Sequence, residues 1–575
     1  MFACSAFDPI IRPALSAAAI GALAVSTLVA SPIAVSPAMA AQADGGVVQD
    51  QAVMPVLERL LAGQEDRALA AFYSARSHAP VWASSPGDIA PKAARALRAA
   101  VAAAPLHALP EARFRPVELD AALARPWDAT SELLFSQVFL DYGRAVSSGL
   151  LTPRRLGGYF DVHPIRPEVE ALMTGLAASH DADAFLAALA PDDADYVRLM
   201  QRHGELLALA ATPEPWGPAL AKGKSLKEGD RGARVLQLRQ RLIAMGDLEE
   251  SAPETEQTIG PLLAADDDAL ALIAAAPPDD LFDMALLDAV KRFQTRHGLN
   301  TDGVVGPATR AALNISPAKR ARQVAVNLER IRWNNGRIGK DRRVVVNMPD
   351  FRVDILEGDD IVFTSRAVIG KYKHQTVEFS DAMDHMVINP TWHVPMSIAR
   401  KEILPKLQED PNYLEARNMT LVGADAWSID WPSVTPADFP GRVRQAPGPG
   451  NALGRVKFMF PNNHAIYLHD TPQRGLFRRD NRAYSHGCVR VERPLELAYN
   501  LLSKQVDQPE RSFQRWLATG REIYVNLDVP LPVHLIYRTA FTDVNGEPAF
   551  RSDVYRRDAL VADALEREGV SLPAL

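Results

Sequence analysis

The chain has 575 residues and a formal net charge of -7, from 63 Lys and Arg against 70 Asp and Glu, with 47% hydrophobic residues. That length exceeds what one hydrophobic core serves and points to three or four domains. The mild acidity argues against nucleic acid as a partner, and beyond the first forty residues no segment is long and apolar enough to span a bilayer.

Residues 1–40 read as an export signal. Arg12 precedes an apolar run from Ala14 to Ala30, and Ala38-Met39-Ala40 offers small residues at a cleavage position, leaving Ala41 first. The run, about 17 residues against the roughly 20 a spanning helix needs, is short for an anchor, and an uncleaved anchor is the alternative reading. Removing the signal removes Cys4, so Cys488 becomes the single thiol and no internal disulfide forms. A lone thiol in an oxidising compartment implies chemistry that keeps it there.

From 44 to 210 the sequence is rich in Ala and Leu with helical periodicity: Phe135, Val138, Phe139 and Tyr142 fall on one face. This predicts a helical domain in which Phe72, Tyr73 and Trp82 belong to the core. A linker follows in Thr212-Pro213-Glu214-Pro215-Trp216-Gly217-Pro218. A second compact unit spans 225–315, where Val235, Leu238 and Leu242 share one helix face, Val290 and Phe293 another, and Asp302-Gly303 marks a turn before a helix starting near Gly306-Pro307. Leu226-Lys227-Glu228-Gly229-Asp230-Arg231-Gly232, Ala289-Val290-Lys291-Arg292-Phe293-Gln294 and Asp302-Gly303-Val304-Val305-Gly306 resemble the small three-helix peptidoglycan-binding domain. An acidic insertion at 246–281 interrupts that pattern: 12 acidic residues and no Lys or Arg lie between Leu242 and Val290. Such a run is a solvated loop or a docking surface for a basic partner.

From about 320 to 530 the texture turns to short β-type runs, among them Arg343–Asn347, Arg352–Ile355, Ile361–Phe363 and Val456–Phe460, predicting a mostly-β domain, with 531–575 as a C-terminal extension. In Ile466-Tyr467-Leu468-His469 the two-residue period sends Tyr467 and His469 to one face, 19 residues before Cys488. A thiol with an ordinary pKa near 8.5 becomes a strong nucleophile when an imidazole takes its proton or holds the thiolate as an ion pair. His469 is the candidate base and His486 the second candidate. Gly487 lets a carbonyl approach the backbone, so amides near Cys488 can face a developing oxyanion. Arg490, two residues on, suits a substrate carboxylate, or pairs with Glu492. His464, His469, His486 and Cys488 lack the paired spacings of a zinc site, and no metal is expected.

The segments His469-Asp470-Thr471-Pro472 and Ser485-His486-Gly487-Cys488-Val489-Arg490 resemble the active-site signature of the L,D-transpeptidases, cysteine enzymes of YkuD-type β-fold that cross-link peptidoglycan. Asn327-Leu328-Glu329-Arg330-Ile331-Arg332-Trp333, Asn389-Pro390-Thr391-Trp392-His393-Val394-Pro395, Pro447–Gly454 and the tail from Val529 to Asp558 resemble the long Gram-negative subgroup. The resemblance implies a multidomain α+β protein: a helical scaffold domain, a peptidoglycan-binding-like domain, and a catalytic domain with a capping insertion at about 396–441. It implies Cys488 as nucleophile, His469 as base, Gly487 and Cys488 as oxyanion donors, and Ser485, His486 and Tyr467 as supports. Arg490, Tyr467, Trp392 and Asn451 are the implied substrate-binding residues. Thr376-Val377-Glu378 departs from the subgroup, which carries proline after the threonine.

The implied reaction, periplasmic and free of cofactors, attacks the L,D-bond of a tetrapeptide stem, releases D-Ala and passes the acyl group to a diaminopimelate amine, giving a 3-3 cross-link. Water as acceptor makes a carboxypeptidase, and a protein amine makes a tethering enzyme for outer-membrane proteins. Carbapenems are the implied inhibitors and other cell-wall synthases possible partners. The reading from another class is a wall-binding scaffold without catalysis.

Overall fold

The computed structural model describes residues 53–62, 66–83, 88–250, 280–543 and 545–574. The expected signal at 1–40 and residues 251–279 of the acidic insertion lie outside them. No described helix is long and apolar enough to cross a membrane.

The helical domain is built around Ala129–Ser148. Asp128 caps that helix by accepting from the Ser131 N–H at 2.8 Å. Gly149 ends it at φ +87°, where a Cβ would lie 2.6 Å from Glu329 Oε1, so only glycine fits. The predicted face of Phe135, Val138, Phe139 and Tyr142 is buried, and so is most of the rest of the helix, because neighbours pack around it. Tyr73 and Trp82 are core residues with polar tips. Tyr73 donates to Glu132 at 2.8 Å, and the Trp82 indole donates to Ser136 at 2.9 Å.

In the second unit, helices Ala233–Ala244, Met284–Arg296 and Pro307–Leu313 bury Val235, Leu238, Leu242, Val290, Phe293 and Leu313 together. Gln294 clamps the Asp302-Gly303 turn, accepting from the Gly303 N–H at 2.9 Å and donating to Asp302 at 2.9 Å. Both described ends of the acidic insertion are tied down. Asp247 pairs with Arg296 at 2.5 Å, and Leu281 bridges to Arg231.

The mostly-β domain contains β1 (Arg343–Asn347), β2 (Arg352–Glu357), β3 (Asp360–Gly370), β4 (Phe379–Ile388), β5 (Trp392–His393), β6 (Met419–Val422), β7 (Arg442–Gln445), β8 (Val456–Met459), β9 (Leu468–His469), β10 (Ala483–Ser485), β11 (Val489–Val491) and β12 (Ile523–Ile536). The main sheet runs β10-β3-β11-β9-β8-β4-β12-β1-β2, and β2 also pairs with β3, closing the sheet on itself. Val344, Ile355, Met386, Phe458, Leu468, Val489 and Val533 fill its interior. The fold class expected from the sequence is the one observed.

Two expected boundaries shift. β12 continues to Ile536, paired with β4 and β1, so residues 531–536 belong to the main sheet and not to the extension. Pro530 falls in the stretch where the ladder changes register, between Asn526 and Leu531, and Pro532 follows it opposite Ala382. The capping insertion forms its own sheet β5-β7-β6 over Leu404, Leu407, Trp431 and Phe439, and therefore spans 392–445 rather than 396–441.

The helix Pro317–Trp333 joins the domains. Glu329, wholly buried, accepts from the Leu151 N–H at 2.8 Å, the Trp333 indole at 2.9 Å and Arg332 at 2.7 Å. Arg332 also donates to the His107 carbonyl at 2.6 Å and to the Tyr196 hydroxyl at 3.1 Å. Asn327 bonds Thr539 beyond β12.

Candidate active site

β9 and β11 are adjacent and parallel, with Leu468 opposite Val489 and His469 opposite Arg490. Leu468 and Val489 point into the barrel core. Alternation therefore places Tyr467, His469, Cys488 and Arg490 on the other face as a square, with Tyr467 beside Cys488 and His469 diagonal to it. Diagonal neighbours sit about 7–8 Å apart at the backbone, within reach of aromatic side chains. The Tyr467 and His469 rings are 5.7 Å apart.

Cys488 is half-buried, and burial pushes its thiol up to about 11; a hydrogen bond with Tyr467 and the Arg490 charge act in the opposite sense. The thiol donates to the Ala465 carbonyl at 3.6 Å. Burial, with Arg490 adding to it, takes His469 down to about 3. Thiol and imidazole are thus both neutral near pH 7, so the arrangement is a neutral pair rather than a preformed ion pair. The His469 Nδ1 lies 2.5 Å from the Asp470 carbonyl, which can only accept, so Nδ1 carries the proton and Nε2 has the free lone pair. No hydrogen bond joins Sγ to this ring among the described residues; the thiol must leave Ala465 to reach it, a movement in keeping with the loose contacts of unliganded sites. Asp470 is fixed in turn, accepting from Arg455 at 3.2 Å and Arg474 at 3.1 Å.

Ser485 pins the thiol loop by donating to the Cys488 carbonyl at 2.5 Å and accepting from the Gly487 N–H at 3.1 Å. The Gly487 amide, expected at the oxyanion, is therefore already engaged. Its glycine is needed for conformation, since φ is +120° there. The Cys488 N–H donates to no backbone acceptor among the described residues.

His486 is drawn away from the thiol. Its Nε2 meets Glu402 of the capping insertion at 2.5 Å and Lys371 at 3.1 Å, so the ring is engaged at the insertion and is not packed beneath the loop. Arg490 bonds Gln473 at 2.6 Å, while Glu492 pairs with Arg366 at 2.8 Å, leaving the Arg490 charge unpaired by an acid among the described residues. Trp392 packs partly against the capping core. Asn451, expected to bind substrate, does not face the groove. It is 1% exposed, donates to the Pro390 and Ala446 carbonyls at 3.0 and 2.9 Å, and accepts from the Leu453 N–H at 2.8 Å; backbone groups consume its amide.

Three participants escaped the sequence reading. The Ala465 carbonyl is backbone and leaves no signal in residue type. Glu402 sits in a stretch readable only as a surface helix. Thr376, whose hydroxyl donates to the Gly487 carbonyl at 2.7 Å, stood out only for the missing proline after it.

Compared with known families, residues 341–525 match the L,D-transpeptidase catalytic domain (YkuD), 67–202 a scaffold domain, and 269–313 the "Putative peptidoglycan binding domain". A Haemophilus influenzae protein named "Putative L,D-transpeptidase" is 36% identical over 245 residues, 41% of this chain and 48% of that protein. A Mycobacterium tuberculosis N-acetylmuramoyl-L-alanine amidase, CwlM, is 36% identical over 96 residues, 17% of this chain and 20% of its own. The chain thus spans about half the length of the first relative and a fifth of the second. Among solved structures, L,D-transpeptidases from Xylanimonas cellulosilytica (16% identity, TM-score 0.17, 55% of this chain and 99% of that one) and Stackebrandtia nassauensis (12%, 0.18, 47% and 87%) are similar to it only at a level that carries no weight for the architecture. The three domain matches and the aligned half of the Haemophilus influenzae relative thus make residues 341–525 similar to the YkuD L,D-transpeptidase catalytic domain, following regions similar to a scaffold domain and a peptidoglycan-binding domain.

Proposed function

We propose that this protein is a periplasmic cysteine L,D-transpeptidase that forms 3-3 cross-links in peptidoglycan. The observation that carries the reading is the square of Tyr467, His469, Cys488 and Arg490 on one face of the β9–β11 pair. Cys488 swings from Ala465 toward Nε2 of His469, gives up its proton and attacks the carbonyl of the third stem residue. The developing oxyanion faces the Cys488 N–H, and Tyr467 supports the sulfur during attack. The C–N bond to D-Ala breaks as the protonated His469 returns its proton to the leaving amine, leaving a thioester. A diaminopimelate amine then attacks, His469 takes its proton, and Cys488 recovers the thiol through the same imidazole.

Arg490 supports recognition of an anionic stem, because its charge lies beside the nucleophile with no acid among the described residues to neutralise it. The peptidoglycan-binding and catalytic domains together support wall peptides as substrate. Purified protein mixed with tetrapeptide muropeptides is expected to release D-Ala and yield dimers, with Cys488→Ala inert. Dimers from Cys488→Ala, or neither product from the wild type, would remove the proposal and leave the wall-binding scaffold.

A further inference from the structure

The C-terminal extension reaches the thiol loop through one residue. Arg557 is 1% exposed at the start of the helix Arg557–Arg567 and grips the turn between β3 and β4. It donates to the Thr376 carbonyl at 2.7 Å, to Glu378 at 2.9 Å and to Gln375 at 3.1 Å. The Tyr555 hydroxyl donates to the Gly370 carbonyl at 2.5 Å and accepts from the Thr376 N–H at 3.3 Å. Asp553 holds both residues in place, accepting from the Tyr537 hydroxyl at 2.6 Å and the Arg557 N–H at 2.8 Å, while Tyr537 meets the Tyr555 N–H at 2.8 Å. Thr376 is wholly buried. Its hydroxyl accepts from the Gly370 N–H at 3.0 Å and spends its own proton on the Gly487 carbonyl.

That carbonyl and the Cys488 N–H are opposite ends of one planar peptide unit, so fixing the oxygen fixes the direction of the N–H. Ser485 holds the peptide units on either side, and Thr376 is the group that holds this one. The same contacts answer the missing proline after Thr376: Val377 is buried, and the Glu378–Arg557 pair replaces ring stiffness with anchorage.

We infer that Thr376 is a positioning residue for the oxyanion, aimed by Tyr555 and Arg557 of the C-terminal extension so that the Cys488 N–H points at the scissile carbonyl; this rests on the transpeptidase reading. An oxyanion donor assists acyl transfer but does nothing for alkylation of the same sulfur, which separates this role from general support of the loop. The test measures D-Ala release from a tetrapeptide muropeptide, iodoacetamide alkylation of Cys488 and thermal midpoint in Thr376→Val, Thr376→Ser and Tyr555→Phe.

Thr376→Val is expected to lose about 10–100-fold in kcat, below the 10²–10³-fold cost of deleting a donor outright, with KM and alkylation rate within about two-fold. Thr376→Ser is expected to recover most of the loss, and Tyr555→Phe to lose about three- to ten-fold in the same pattern. An unchanged kcat in Thr376→Val overturns the inference, as does a parallel fall in kcat and alkylation. If Thr376→Val does not fold, Tyr555→Phe decides by the same criterion. A wild type that alkylates but releases no D-Ala refutes the transpeptidase reading itself, and this inference with it.

Discussion

Two buried groups of polar residues, each containing arginine, use their hydrogen bonds differently. At the junction of the domains, Glu329 and Arg332 are wholly buried, pair with each other at 2.7 Å and spend their remaining capacity on Leu151, Trp333, His107 and Tyr196. On the β9–β11 face, among the described residues, Arg490 has no acid partner, its Nε bonds nothing, and the Cys488 N–H has no backbone acceptor. A buried group left unsatisfied costs free energy that the fold must offset elsewhere. The Glu329–Arg332 pair spends its hydrogen bonds within the fold, whereas the β9–β11 face keeps donors unspent, as the proposed substrate site requires.

If that contrast holds, Glu329→Ala has the largest effect. It strands the Arg332 charge in the interior and is expected to cost about 3–5 kcal/mol, read as a fall in the denaturant midpoint, with activity lost only through unfolding. Loss of turnover in a stably folded Glu329→Ala would break the comparison.

Acid sharpens it next. His107, His203 and His534 are lowered to about 4 by burial, and His469 to about 3. Between these values and the ordinary value near 6.5, the unfolded chain binds protons that the folded chain refuses. The stability these histidines contribute is therefore full above about pH 6.5 and is lost as pH falls toward 4, by up to about 1.4 kcal/mol per pH unit for each, while Asp558, raised to about 6 by burial, acts in the opposite sense below that value. Denaturant titrations at pH 7, 6 and 5 check this, and a flat profile contradicts it.

Arg490→Met is expected to leave stability within about 1 kcal/mol, since no ion pair is broken, while kcat/KM falls about 10–100-fold. Arg490 lowers both His469 and Cys488, so its removal moves both ionisations upward. In the pH profile of Cys488 alkylation the sulfur's rise then begins at higher pH; an unshifted profile argues that the charge does not reach the sulfur. The smallest effect is expected from His486→Ala. It breaks an exposed contact with Glu402 and costs at most about 1 kcal/mol and a few-fold in turnover. A collapse in kcat would return His486 to the chemistry.

The sequence made the reactive face legible because strand alternation fixes faces: Tyr467 with His469, and Cys488 with Arg490, needed no coordinates. The helical face of Phe135, Val138, Phe139 and Tyr142 and the core of the three-helix unit were legible for the same reason. Asn451 was misread because a polar residue in a glycine-rich turn looks the same whether it bonds substrate or its own backbone. The boundary at 530 falls short because the pairing that carries the strand on past the irregularity at Asn526–Leu531 is made by the partner strand. The Thr376–Gly487 contact crosses 111 residues and ends on a carbonyl, and residue type does not encode such pairings.

The central claim is that His469 takes the proton from Cys488, and single-turnover D-Ala release by wild type and His469→Ala tests it most directly. The account predicts a fall of at least about 10²-fold in the acylation rate of a folded His469→Ala, with Cys488 still open to alkylation at high pH. Acylation at the wild-type rate in His469→Ala would contradict it.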